Sequence, residues 1–266
     1  MSPRHAIAAA LLSILGASAS AATPPPTYDE FTSLAISPDL WNEGATIRQV
    51  DSKGKLNLAR YIYGNQSSNA GQTVENLNLS LTDNAPAKSL RAVITATEAA
   101  SIQGCAANTS SSNARARIIG AYFNVRAGGP VPGDATGDIL AQAYLIRYSD
   151  TTDAAGVVQV GGNIVQCNNS DCSSSSLITS VSMGTTTVGT AVGLQIDWDK
   201  KNSQFLFTRG KEAAVPASYL GLKHTVAPAR PFNNVSIRTA VANCMGSPRV
   251  KAGMAASFDV IGISHF

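Results

Sequence analysis

The chain has 266 residues, of which 44% are hydrophobic and only 14% charged, with a formal net charge of +3. The apolar share is enough to bury a real core, while the charged share falls well below the roughly 25% of an average soluble chain. So small a charge, with no run of five like charges, argues against nucleic acid as a partner, because phosphate binding needs clustered Lys and Arg.

The N-terminus carries Arg4, then an apolar run over 6–15, then Ala17, Ser18, Ala19, Ser20, Ala21 and Ala22. The run is too short to span the ~30 Å core of a bilayer as a helix. Pro24, Pro25 and Pro26 would end any helix that continued. The pattern predicts a secretory signal peptide over 1–21, a proline-rich segment over 22–27 and one domain over 28–266, exported to the periplasm or the cell exterior. No later stretch is apolar enough for a membrane span.

From there the pattern is β. Apolar and polar residues alternate over 90–97 and 115–126, and further strands are predicted at 139–148, 157–166, 177–183, 191–198, 203–209, 235–241 and 257–264. Asp199, Lys200, Lys201 and Asn202 fall between two alternating runs and read as a hairpin turn. Gly, Asn, Ser and Pro clusters separate the strands, and no long helical period occurs. Short strands with this density of turns mean a two-sheet antiparallel β-sandwich or a related barrel.

Four cysteines, Cys105, Cys167, Cys172 and Cys244, lie in the mature part. An even count in an exported chain predicts two disulfides. Three connectivities exist. Cys167 and Cys172 bracket a tight polar loop that can close on itself, which leaves Cys105 to pair with Cys244.

Several short motifs occur in a suggestive order: Tyr28-Asp29-Glu30-Phe31, Trp41, Gly54-Lys55-Leu56-Asn57-Leu58, Ala116-Arg117-Ile118-Ile119-Gly120-Ala121-Tyr122-Phe123-Asn124, Gly137-Asp138-Ile139-Leu140-Ala141-Gln142, Leu194-Gln195-Ile196-Asp197-Trp198-Asp199 and Ser257-Phe258-Asp259-Val260. The order resembles the concanavalin A-like lectin/glucanase superfamily, in particular exported bacterial members with a laminin-G-like jelly roll. The resemblance implies two sheets with the first and last strands paired, which would bring Asp29 near Asp259. It also implies a structural calcium ion, with Asp259, the carbonyl of Gly54 and Asp29 at the matching positions.

The superfamily hosts hydrolases, lyases and lectins, so activity has to be argued from residues. A retaining glucanase needs two carboxylates about 5–5.5 Å apart, in relatives a Glu-x-Asp-x-Glu strand. This chain has no Glu between 99 and 211 and no Glu-x-Asp, and its nearest carboxylate pair is Asp197 and Asp199. A polysaccharide lyase needs a His or Tyr base and positive groups for a uronate, but Gln-x-His is absent and His224 stands alone. Gly-x-Ser-x-Gly is absent as well. What remains is binding. Tyr122, Asn124, Arg126, Gln142, Tyr144, Gln195 and Asp197 are expected to line one concave sheet, because a sugar offers apolar C–H faces and polar edges. The expectation is an exported non-catalytic module for a glycan ligand, with an adhesive surface protein or a divergent glycoside hydrolase or polysaccharide lyase as alternatives.

Overall fold

The computed structural model describes residues 25–29, 41–42, 49–99, 102–246 and 250–266. The expected signal peptide, Phe31 and residues 22–24 of the expected proline-rich segment lie outside the described residues.

The strands run in chain order as β1 (Thr27–Asp29), β2 (Trp41–Asn42), β3 (Gln49–Val50), β4 (Leu56–Tyr63), β5 (Gln72–Leu81), β6 (Ser89–Glu98), β7 (Asn113–Asn124), β8 (Asp138–Tyr148), β9 (Val157–Cys167), β10 (Ser175–Thr187), β11 (Ala191–Asp199), β12 (Gln204–Arg209), β13 (Val215–Ser218), β14 (Asn233–Ala242) and β15 (Lys251–Ser264). They form two antiparallel sheets. One is ordered β13-β12-β11-β6-β15-β4-β3, with β1 added against β15; the other, seven-stranded, is ordered β10-β9-β8-β7-β14-β5-β2. Every strand expected from alternation is present. Both β4 and β5 went unassigned in the sequence, although Leu77, Leu79 and Leu81 alternate cleanly.

The inner faces show why these residues fold this way. Leu90, Ile94, Leu194, Ile196, Phe205, Phe207 and Phe258 of the first sheet meet Leu79, Ile118, Ile139, Leu145, Val160 and Ile237 of the second, all buried. Four of the inner positions on β7 and β8 are small, Ala114, Ala116, Ala141 and Ala143. That leaves room for the aromatic rings of β12, and the Phe207 ring lies against Gly162, where a Cβ would collide with it.

The expected pairing of the terminal strands is present. Thr27 is opposite Gly262 and Asp29 opposite Ile261, two residues from Asp259. Both expected disulfides are formed, Cys105–Cys244 across 139 positions and Cys167–Cys172 across 5. The hairpin turn is a single turn of 3-10 helix (Lys200–Asn202), capped by the Asp199 carboxylate, which accepts from the Asn202 backbone N at 3.2 Å.

Candidate functional site

The outward face of the seven-stranded sheet is built in rows, because antiparallel register sets residues side by side at strand spacing. One row runs Asn76, Arg238, Arg115, Ile146, Gln159 from β5 to β9. The next runs Asn78, Ser236, Arg117, Tyr144, Gly161, and the third Ser80, Asn234, Ile119, Gln142, Asn163. From Ile119 of the third row onward the face turns apolar, at Ala121, Leu140 and Val165, which cluster with Ala135, Phe232 and the Cys167–Cys172 bridge. The polar rows therefore form a floor with a loop wall at one end of the strands.

Asp138 fixes that wall. It is fully buried, and its carboxylate accepts from Asn124 Nδ2 at 2.7 Å, Ala229 N at 2.7 Å and Arg230 N at 2.9 Å. Arg126 donates to Asp134 at 2.5 Å within the same loop. Gly137 closes it at φ 84°, where a Cβ would lie 2.8 Å from the Arg126 backbone N.

On the floor, Arg117 is the hub. Its guanidinium donates to Ser236 Oγ at 2.7 Å, Gln142 Oε1 at 2.7 Å and Asn76 Oδ1 at 2.9 Å, joining four strands. All three acceptors are neutral. Burial, then the charges of Arg115 and Arg238, pushes the Arg117 guanidinium well below its ordinary range. Tyr144 lies beside it, with its ring against Gly161 and the Arg115 guanidinium 5.4 Å from the ring centre. Its hydroxyl makes no hydrogen bond to a described residue, and burial raises its pKa above the ordinary tyrosine value. Asn163 Oδ1 and Asn234 Oδ1 are buried and make no hydrogen bond to a described residue. A buried polar atom left unpaired costs about 1–3 kcal/mol, so these atoms weaken the fold on their own.

The expected binding residues do not share this floor. Gln142 and Tyr144 stand on it. Tyr122 points the other way into the core, edge-on to Phe205 and Trp198 at 4.6 and 5.4 Å. A register shift between Ala121 and Phe123 turns both Tyr122 and Phe123 inward, so parity fails there. Asn124 and Arg126 hold the loop wall. Gln195 and Asp197 belong to the other sheet, where the Gln195 amide donates to the Asp197 carboxylate at 2.8 Å. The arginines at 115, 117 and 238 were missed, although Arg115-Ala116-Arg117 and Ser236-Ile237-Arg238 already show the alternation.

The positions expected to hold calcium fit it poorly. The Asp259 carboxylate lies 3.7 Å from the Lys55 ammonium and accepts from Val260 N at 2.9 Å, which places a cation where calcium needs oxygens. Gly54 turns the β3–β4 hairpin at φ 77°. A separate hollow of about 500 Å³ between β4 and β5 exposes Tyr61 and Tyr63, but its Arg60 and Glu75 are paired with each other.

No known protein family and no curated protein matches the sequence. Among solved structures the chain is similar to the catalytic domain of an endo-1,3-beta-glucanase (laminarinase) from Thermotoga petrophila RKU-1, at 11% identity over 88% of this chain and 94% of that one, with a TM-score of 0.49. It is similar to a glycoside hydrolase family 16 endo-glucanase from Bacteroides ovatus, at 8% identity over 88% and 98%, TM-score 0.49. It is also similar to an immunostimulatory antigen and pseudo beta-1,3-glucanase of Mycobacterium tuberculosis, at 9% identity over 91% and 96%, TM-score 0.45. The chain has the concanavalin A-like jelly-roll architecture that its motifs resemble. At these identities nothing of activity carries over. The expectation of a non-catalytic module that binds a glycan on one concave sheet is not kept, because the face on which it rested divides between two sheets and the core: Tyr122 is buried in the core, and Gln195 and Asp197 lie on the other sheet from Gln142 and Tyr144.

Proposed function

We propose that this protein is an enzyme acting on polysaccharide, with its substrate chain laid across β5, β14, β7, β8 and β9 on the outer face of the seven-stranded sheet. The observation that carries the reading is the polar floor itself: amides, guanidiniums and the Tyr144 phenol in register across five strands, with the phenol hydroxyl and the buried oxygens of Asn163 and Asn234 making no hydrogen bond to a described residue. Strands repeat at about 4.8 Å, so such a row suits an extended polymer with regularly spaced hydroxyls better than a compact ligand. Hydrolysis by a carboxylate pair has no support here, because no carboxylate stands in these rows among the described residues. Proton handling falls to Tyr144. The two disulfides support export to an oxidising compartment, the periplasm or the exterior.

The test is depolymerisation of a panel of neutral and acidic polysaccharides by the mature protein, followed by product size and by new chain ends. Turnover is expected on at least one glycan. Tyr144→Phe is expected to lower kcat by roughly 10²–10⁴-fold with little change in KM. Turnover that survives Tyr144→Phe but is lost in Asp197→Asn would move the site to the other sheet, and no turnover on any glycan would end the reading.

A further inference from the structure

One feature of the floor is costly and unexplained by a neutral substrate. Arg115 and Arg238 stand directly opposite each other on β7 and β14, and Arg117 is one step along the same face. Like charges in direct cross-strand register repel and destabilise a sheet. Both guanidiniums lean on a single neutral acceptor, Asn113 Oδ1, at 3.4 and 3.5 Å, which is weak geometry. Arg115 Nε is buried and makes no hydrogen bond to a described residue. None of the three arginines forms an ion pair with a carboxylate among the described residues. Burial, then the charge of Arg115, pushes Arg238 down to about 10, the direction expected of cations crowded together without a counter-ion.

We propose that Arg115 and Arg238 form a binding site for an oxyanion carried by the glycan, so that the substrate is an acidic polysaccharide bearing carboxylate or sulfate groups. The site rests on the reading of this face as the substrate floor. Two guanidiniums with spare N–H groups on one side of a sheet match the planar, forked acceptor pattern of a carboxylate or a sulfate ester. Tyr144, one strand over from Arg115, would contact the sugar ring that carries the charge. The bound anion would relieve the repulsion between the two strands, so the empty protein is held in a state that its ligand stabilises.

Titration calorimetry of the mature protein with an oligogalacturonate, a sulfated galactan oligosaccharide and a neutral laminari-oligosaccharide tests this, with Arg115→Met and Arg238→Met alongside. Binding is expected for one acidic oligosaccharide, weakening as salt is raised, with the preference between carboxylate and sulfate naming the anion. Each methionine variant should weaken that binding tenfold or more and, by removing a buried like charge, should melt at a temperature equal to or above that of the parent. Neutral oligosaccharide binding as tight as acidic, unaffected by either substitution, would overturn the acidic substrate and leave the polysaccharide face standing. A marked fall in melting temperature in both variants would overturn the proposal too, since the arginines would then be held by the chain itself. No binding of any of the three would end both readings.

Discussion

Tyr144 and Gly161 show how one residue places another. They are register partners, and the ring of Tyr144 occupies the space a side chain at 161 would fill; a Cβ there would sit 3.0 Å from the ring and 3.0 Å from Val181 O. Gly161→Ala should therefore push the phenol off its position. The expected cost is about 1–3 kcal/mol in urea unfolding from overpacking, together with a loss of turnover larger than any change in KM. Unchanged kinetics would mean that the ring is not held there. Tyr122 is a different tyrosine. Its hydroxyl is buried and makes no hydrogen bond to a described residue, and burial, then the charge of Asp197, raises its pKa. A raised pKa means that the folded state keeps a proton which the unfolded state gives up near the ordinary value of about 10. Stability should thus be flat below that pH and fall above it, by up to about 1.4 kcal/mol per pH unit. Tyr122→Phe should abolish that part of the alkaline loss and leave neutral-pH stability equal or higher; the same alkaline slope in the variant would contradict the assignment.

Among the elements, alternation made most of the strands legible, because each buries one face and leaves one wet. What alternation could not supply is which polar faces belong together. Strands β8 and β11 both carry Gln and a second polar residue at period two, yet they lie in different sheets. The bulge in β7 is invisible to a period-two pattern, and it alone sent Tyr122 into the core. The floor arginines were readable as Arg-x-Arg on β7, but their conflict with Arg238 exists only once β14 pairs with β7. The loop wall is a similar case: Asp138 opens β8, one residue before the expected strand, and its carboxylate also anchors the Asn124 amide and the backbone of Ala229 and Arg230. Asp138→Ala would strand the Asn124 amide and two backbone N–H groups, and a loss of about 3 kcal/mol or more is expected in chemical denaturation. A loss under 1 kcal/mol would show that the wall is held some other way.

At the scale of the whole molecule, the division of labour between the sheets is the main result. The first sheet takes the terminal strands β1 and β15 and much of the aromatic core, and Cys105–Cys244 ties the chain across 139 positions, a closure worth roughly 4–5 kcal/mol on the chain-entropy scale. The second sheet turns a charged, under-satisfied floor outward. Buried cations without counter-ions lower stability, and under the proposal above a bound oxyanion offsets that cost. The most direct measurement is a crystal structure of the Tyr144→Phe protein soaked with a bound oligosaccharide. Sugar density crossing β5, β14, β7, β8 and β9, with an oxyanion between Arg115 and Arg238, is the result predicted. Density over Gln195 and Asp197 on the other sheet, or in the hollow between β4 and β5, would contradict it.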